Sequence, residues 1–401
     1  MASRISLLPS ARVEPSPSGS FSSSTARPPI LNSQNVAAHL QSLYNTKLNE
    51  LERDWRDRYT FFLEHGLELR PRYRPGWTPS WLGTTLDPAY CTDSIEQILY
   101  MVLDAKRLRD GTNVCIKRIE PESKTEEVNI ARYLSSAQML RDPNNHCVPV
   151  WDSFRDPILP HVEYLVMPIL RPFDSPEFCA IGEVVDFVTQ LLEGMEFMHR
   201  NLVAHGDLTT QNIMMDARPI LPGGWHFVAD MYAPNGHDEL TPLTRSDHPV
   251  RYFVIDYDCS LRLRPGQPHL VTEFGGRDGD PPEYTSRNPY DPFKIDVFTL
   301  GNVFYKDFYQ KYEGLEFLAS LIDFMKTRDF RQRPTAQVAL QYWYNIRTHL
   351  DVAIARWRLR RRNESFGERV VLDTVAVARQ SIHSVKRLLG SEKRKAGWSN
   401  T

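Results

Sequence analysis

The sequence predicts an α+β fold with two lobes, a small strand-rich lobe that contains one helix and a larger, mainly helical lobe. Short apolar runs bounded by turn signals characterise residues 90–168, whereas apolar residues at helical spacing dominate residues 169–348. The chain has 401 residues, of which 41% are hydrophobic and 24% are charged. It is therefore long enough to bury two lobes and to carry extensions at both ends.

Three segments are predicted to lie outside the lobes. Residues 1–34 are rich in Ser, Pro and Arg and lack periodicity, so they are predicted to be disordered. Residues 35–89 are predicted to be a helical extension, because Asn35 is a plausible helix cap and apolar residues follow it at helical spacing. Residues 349–401 are predicted to be helical, and their basic cluster at 356–362 is interpreted as a solvated helix face.

The small lobe is predicted to begin with a β-hairpin. Residues 100–105 and 113–117 are strand-like, and a turn at 109–112 joins them. A helix is predicted over 124–140, followed by a strand over 164–167. Together these elements give a sheet with one helix beside it.

The large lobe is predicted to open with a helix over 184–198, which hands over to a polar loop at 205–212 and then to a short apolar strand. Helical periodicity continues to about residue 348. Residues 217–250 are dense in Pro, Gly and Asp, so they are predicted to form a surface insert.

The polar loop carries the strongest chemical signal, because Asp207 and Asn212 have the spacing of a base and a metal ligand in a phosphotransfer loop. Asp207 would accept the proton of a substrate hydroxyl, and Asn212 would hold a metal. Asp256, at the end of an apolar run, would bind the metal that bridges the phosphates. Lys117 would hold the phosphates, and Glu127 on the next helix would pair with Lys117 and fix its rotamer.

In chain order these residues resemble those of a eukaryotic protein kinase domain over roughly residues 90–345, and the chain is most similar to the divergent kinase-like proteins of mushroom-forming fungi. The resemblance implies a two-lobed protein kinase-like fold that binds ATP and Mg²⁺. It also implies that residues 164–170 form the hinge, with Met167 as gatekeeper and with the Ile169 and Leu170 backbone reaching the adenine.

Three later segments resemble structural parts of the same family. Pro281-Pro282-Glu283 is similar to the family's Ala-Pro-Glu segment, the run from Asp296 to Gly301 to its central helix, and Arg333 to the Arg that pairs with that Glu. In the family these parts build the peptide-binding side. They therefore favour a protein substrate.

Departures from the family pattern predict weak or altered catalysis. No glycine-rich loop precedes the hairpin, where residues 94–99 stand instead, so the phosphates lose a backbone cradle. Gly206 stands where the family usually has Arg, Thr209 replaces the usual loop Lys, and Asp258 replaces the Gly of the Asp-Phe-Gly motif. The change at Thr209 removes a charge that helps to stabilise the transferred phosphoryl group.

The resulting hypothesis is a protein kinase that transfers the ATP γ-phosphate to Ser or Thr of a protein, a preference that follows the base rate among relatives. Two alternatives stay open. The His-Gly-Asp loop with Asn212 also resembles that of small-molecule kinases of the aminoglycoside and choline type. The missing glycine-rich loop and the altered Asp256-Tyr257-Asp258 motif would suit a pseudokinase that serves as an interaction scaffold.

Composition limits the partners and the compartment. The formal net charge of -2 does not point to nucleic acid, and no apolar run approaches the roughly 18 residues of a membrane span. The five cysteines never form a Cys-x-x-Cys pair, which argues against a metal site built from cysteines and against a disulfide framework. An intracellular protein, cytoplasmic or nuclear, is expected, and the oligomeric state is left open.

Overall fold

The computed structural model confirms a mixed α+β fold with a sheet-based small lobe and a helical large lobe. It describes residues 44–120, 125–266, 269–272, 275–285, 288–351 and 353–374. The predicted disordered segment 1–34 and the last part of the predicted C-terminal helix lie outside the described residues.

The small lobe is built on a five-stranded antiparallel sheet with strand order β1-β2-β3-β5-β4. The strands are β1 (Leu67–Leu69), β2 (Val102–Arg107), β3 (Asn113–Ile119), β4 (Asp152–Arg155) and β5 (Glu163–Pro168). The predicted hairpin is confirmed as β2 and β3, in which Val102 lies opposite Lys117. Strand β1 was not predicted, and it brings part of the range 35–89 into the sheet.

Two short helices, α1 (Glu50–Asp57) and α2 (Tyr59–Glu64), cover one face of this sheet, where one continuous helix was predicted. Asn49 caps α1: its side chain accepts the backbone N–H of Glu52, and the Glu52 side chain accepts the Asn49 N–H. The helix breaks at Arg58, whose guanidinium pairs with the buried Asp156. Aromatic residues of α1 and α2 pack on the sheet, and the rings of Trp55 and Tyr164 lie 5.7 Å apart.

The opposite face of the sheet carries Lys117 and looks toward helix α3 (Thr125–Leu134) and the large lobe. Directly opposed residues of an antiparallel pair share a face, so Val102 and Leu165, the partners of Lys117, lie on this side too. Helix α3 is shorter than predicted: it ends at Leu134, turns follow at residues 135–138, and Met139–Arg141 form a separate 3₁₀ segment.

The large lobe surrounds the buried helix α4 (Ile181–Arg200), and the predicted helical character to residue 348 is confirmed. The other helices are α5 (Pro292–Val303), α6 (Ala319–Met325) and α7 (Ala336–Thr348). Its short strands are β6 (Arg171–Pro172), β7 (Val203–Ala204), β8 (Ile213–Asp216), β9 (Arg251–Val254), β10 (Leu261–Arg262), β11 (Tyr312–Glu313) and β12 (Arg360–Arg361). Between β8 and β9, residues 217–250 have no helix and no strand beyond an isolated bridge between Tyr232 and Glu239.

The basic cluster at 356–362 is not the solvated helix face that the sequence predicted. Part of it is strand β12, which pairs with β11. The guanidinium of Arg358 lies 2.7 Å from carboxylate oxygens of both Glu364 and Asp373. Acidic side chains of the protein itself therefore engage this cluster.

No disulfide bond joins any of the five cysteines, all of which lie in the described part of the chain. Among the described residues, none of the helices combines the length and the apolar character needed to cross a membrane.

Candidate active site between the lobes

The loop that follows β7 is fixed from below by Asp296 of helix α5. Asp296 is fully buried, and its carboxylate accepts the backbone N–H groups of His205 at 2.7 Å and Gly206 at 2.8 Å. The ring of His199 lies 2.9 Å from the same carboxylate. Gly206 has a φ of +81°, a conformation that favours glycine, so this departure from the family pattern suits the backbone at its position.

The loop presents Asp207 and Asn212 as a hydrogen-bonded pair. Asp207 is 1% exposed, and its Oδ2 accepts the Asn212 side-chain amide at 2.8 Å. Its Oδ1 accepts the backbone N–H of Arg277 at 2.7 Å. Because the Asn212 amide also donates to the Asp207 carbonyl at 2.9 Å, the side chain of Asn212 is held in one orientation.

Lys117 links the small lobe to the large one. Its Nζ lies 2.5 Å from Glu127 Oε1 and 2.6 Å from Asp256 Oδ1. Burial lowers the pKa of Lys117, but the two carboxylates outweigh this effect and raise the pKa above its ordinary value. Burial raises the pKa of Glu127, and the charge of Lys117 offsets only part of that rise. The lysine therefore stays charged between two acids.

Asp256 follows strand β9 and has a φ of +68°, in the left-handed region that residues other than glycine rarely adopt. Such a conformation costs about 1–3 kcal/mol and persists where the surroundings impose it, often at functional sites. Here the preceding Ile255 N–H is held by the Asn212 carbonyl at 2.9 Å. The backbone thus couples Asp256 to the loop that carries Asp207.

The residues proposed for the hinge lie at the end of β5 and just beyond it. Met167 is opposite Cys115 in the sheet, and it packs against the main core together with the half-buried Ile169. Leu170 is buried in that core. The chain continues into Arg171, whose guanidinium donates to the Asp230 carbonyl of the insert.

The sheet above the hinge is charged, which the sequence analysis missed. Asp104 lies opposite Cys115 and therefore shares the face of Lys117, and its carboxylate is 2.9 Å from the guanidinium of Arg70. The buried His226 of the insert lies close enough to both for their charges to act on it; burial, and then Arg70, lower its pKa. The register of the predicted hairpin was the signal that could have placed Asp104 here.

Residues 70–101 join β1 to β2 and include residues 94–99, which stand in the region where the resemblance led us to expect a glycine-rich loop. This segment reaches the insert, since the rings of Tyr90 and His237 lie 5.2 Å apart. Arg70 also donates to the Ile95 carbonyl at 3.2 Å. The segment and the insert therefore contact each other beside the cleft.

The segment after β10 crosses in front of the loop. Arg277 was not predicted as a site residue, because it stands in an irregular stretch with no periodic or motif signal, yet its guanidinium lies 3.4 Å from Asp256 and 3.6 Å from Asp207. Farther along, Glu283 and Arg333 form a buried ion pair of 2.7 Å, as the resemblance implied.

The oxygen atoms of Asn212 and Asp256 suit Mg²⁺. This ion uses one or two protein carboxylates together with waters and phosphate oxygens, rather than a cage made by the protein alone. The described part of the chain has no group of three or more His, Cys, Asp or Glu residues that could hold a metal ion. The donor set fits a metal that arrives with a nucleotide.

Comparisons with known proteins identify a family and relatives of this chain. The family model described as "Protein kinase domain" matches residues 101–315, more than half of the chain. "Serine/threonine protein kinase OSK3" of Oryza sativa subsp. japonica is 30% identical over 79 residues, which cover 15% of this chain and 16% of the relative. "CBL-interacting serine/threonine-protein kinase 15" of Arabidopsis thaliana is 26% identical over 214 residues, which cover 51% of this chain and 42% of the relative.

Proposed function

The chain belongs to the protein kinase family, and we propose that it transfers the γ-phosphate of ATP to the hydroxyl of a Ser or Thr in a protein substrate. The proposal is supported above all by the meeting of polar residues from separate elements at one junction. These residues are Lys117, Glu127, Asp207, Asn212 and Asp256. Each would be costly to bury without a partner or a task.

The proposed roles follow from the contacts. Lys117, oriented by Glu127, would bind the phosphates. The carboxylate of Asp207 would accept the proton of the substrate hydroxyl. The hydroxyl oxygen would then bond to the γ-phosphorus while the bond between that phosphorus and the bridging oxygen of the β-phosphate breaks, and ADP would leave with the electron pair of the broken bond. Asn212 and Asp256 would hold Mg²⁺, which neutralises charge on the phosphates when bound. The backbone of Ile169 and Leu170 would receive the adenine.

A protein substrate is preferred over a small alcohol or an aminoglycoside. The buried pair of Glu283 and Arg333 anchors the segment that runs past Asp207, where the substrate hydroxyl would lie. In the resemblance described above, this arrangement belongs to kinases that bind peptides. A preference for Ser or Thr is supported weakly, by the names of the curated relatives.

A second candidate function is a kinase-shaped binding protein without transfer. One observation favours it: the face of the sheet above the hinge carries the charged pair of Arg70 and Asp104. A charged pair offers the adenine ring of ATP less apolar contact than an aliphatic side chain would. ATP affinity is the quantity on which the two candidates differ.

The test of the proposed function is transfer of labelled γ-phosphate by the purified chain, with Mg²⁺ and a generic basic protein as acceptor. We expect label on Ser and Thr, as determined by phosphoamino-acid analysis, and no label when a chelator removes the metal. Label transferred only to added small alcohols or aminoglycosides would favour the small-molecule rival. No transfer to any acceptor would favour the binding protein.

Lys117→Ala is expected to abolish the thermal stabilisation that Mg·ATP gives the wild type, about 2.7 kcal/mol at a hundredfold excess over Kd. The fold should change little, because the pKa of Glu127 is already raised and its carboxyl can take up a proton when the lysine is lost. The measurement is a melting curve with and without Mg·ATP. Lys106→Ala, an exposed lysine of the same sheet, is the control and should keep the full shift. An unchanged shift in Lys117→Ala would disprove the anchoring role.

A further inference from the structure

The geometry points to Arg277 as a further catalytic residue, whose guanidinium binds the γ-phosphate during transfer. The inference rests on the proposed function, because the ligand it names is the phosphoryl group that the proposed reaction moves. Arg277 exchanges no proton in this role. It supplies positive charge to the oxygens of that group, while Asp207 remains the proton acceptor.

The main chain of this segment is fixed against the catalytic loop. A Cβ atom at Gly276 would collide with the Gly206 carbonyl oxygen and would lie 2.6 Å from Asp207 Oδ1, so only glycine fits. The next residue donates its backbone N–H to Asp207 Oδ1 at 2.7 Å. Arg277 therefore starts from a defined point beside the proposed base.

The side chain of Arg277 spans the acidic centre of the site. Its Nε lies 3.6 Å from Asp207 Oδ2, its Nη1 is 3.4 Å from Asn212 Oδ1, and its Nη2 is 3.4 Å from Asp256 Oδ2. All three distances are long for charged hydrogen bonds, and the side chain is 54% exposed, so it is held mainly by charge and is free to reorient. A guanidinium fork matches two oxygens of a phosphate, and Asn212 and Asp256 are the residues proposed to hold the metal of that phosphate.

The balance of charge gives this position its importance. Thr209 stands where the family usually has Lys; its buried Oγ1 has no hydrogen-bond partner among the described residues, and it carries no charge. Within the described part of the chain, the cations that pair with Asp207 or Asp256 are Lys117 and Arg277. Lys117 pairs with Glu127 and Asp256, whereas Arg277 is the cation that lies beside Asp207, the proposed proton acceptor. Arg277 thus supplies the positive charge that Thr209 lacks.

The first test is Arg277→Gln, with the exposed Arg264→Gln of the neighbouring stretch as a matched control. We expect kcat to fall about 10²–10³-fold in Arg277→Gln, the range for removing one group that stabilises charge in the transition state, and to stay unchanged in Arg264→Gln. Arg277→Lys keeps the charge but loses the fork, so it should fall between the wild type and Arg277→Gln.

A binding measurement tests the contact without relying on turnover. The wild type should bind the Mg²⁺ complex of a non-hydrolysable ATP analogue more tightly than Mg·ADP, and Arg277→Gln should lose that preference while its affinity for ADP stays the same. Absence of transfer by the wild type would refute the proposed function. The ratio of the two affinities would still show whether Arg277 contacts the γ-phosphate.

Rescue separates a missing charge from damage to the segment. Thr209→Lys in the Arg277→Gln background should recover at least a tenth of the lost kcat, provided that its melting curve shows a folded protein. Unchanged kcat and an unchanged affinity ratio in Arg277→Gln would overturn the inference. Higher kcat together with tighter Mg·ADP binding would also overturn it, because Arg277 would then be a plug over the metal ligands.

Discussion

Asp207→Asn is expected to lower kcat for phosphate transfer by about 10²–10⁴-fold, the usual contribution of a positioned general base. The carboxylate is buried between two donors, the Asn212 side-chain amide at 2.8 Å and the Arg277 backbone N–H at 2.7 Å. An amide in its place cannot accept the hydroxyl proton. The measurement is transfer of labelled phosphate by equal amounts of folded wild type and variant.

Stability and nucleotide binding serve as controls for this substitution. An Asn at position 207 has one acceptor oxygen and must point its NH₂ group at one of the two donors. We therefore expect the free energy of unfolding to fall by about 1–3 kcal/mol, which also lowers the melting temperature. The Mg·ATP melting shift should survive, because the side chains proposed to bind phosphate and metal, those of Lys117, Asn212, Asp256 and Arg277, are all kept. Transfer at the wild-type rate would show that Asp207 is not the base.

The elements that could be predicted from the sequence are those with a strong local signal. The β2 and β3 hairpin has apolar runs around a Gly turn, and helix α4 has apolar residues at regular helical spacing. The five polar residues lie in or beside short regular elements: Lys117 is within β3, Glu127 is in the first turn of α3, and Asp207, Asn212 and Asp256 flank β7, β8 and β9. Among them, the pair of Lys117 and Glu127 joins a strand to the next helix.

Features that depend on contacts distant in sequence were missed. Strand β1 is a strand because it pairs with β2 across a long segment, and its three residues have too little periodicity to reveal it. The basic cluster at 356–362 was misread because part of it pairs as β12 with the distant β11, and because Arg361 pairs with the distant Glu177. Arg277 was missed for the same reason, since its position depends on the close approach of Gly276 to the loop.

Asp296→Ala is expected to be the most damaging single substitution for the fold of the site, with a loss of about 3–5 kcal/mol. The carboxylate is fully buried and holds the backbone N–H groups of His205 and Gly206 as well as the ring of His199. Alanine would leave two buried backbone donors without a partner. The measurement is the free energy of unfolding by denaturant, with transfer activity measured on the folded fraction.

Two variants on helix α5 separate this effect from general damage to the helix. Asp296→Asn keeps one acceptor oxygen, so its free energy of unfolding should fall by about 1–3 kcal/mol. The transfer activity of its folded fraction should also fall, because the loop that carries Asp207 shifts. Asp291→Ala removes the cap of the same helix, a side chain that accepts the Phe293 N–H at 2.9 Å, and should cost about 1 kcal/mol with activity retained. Equal losses in Asp291→Ala and Asp296→Ala would mean that Asp296 supports the helix and not the catalytic loop.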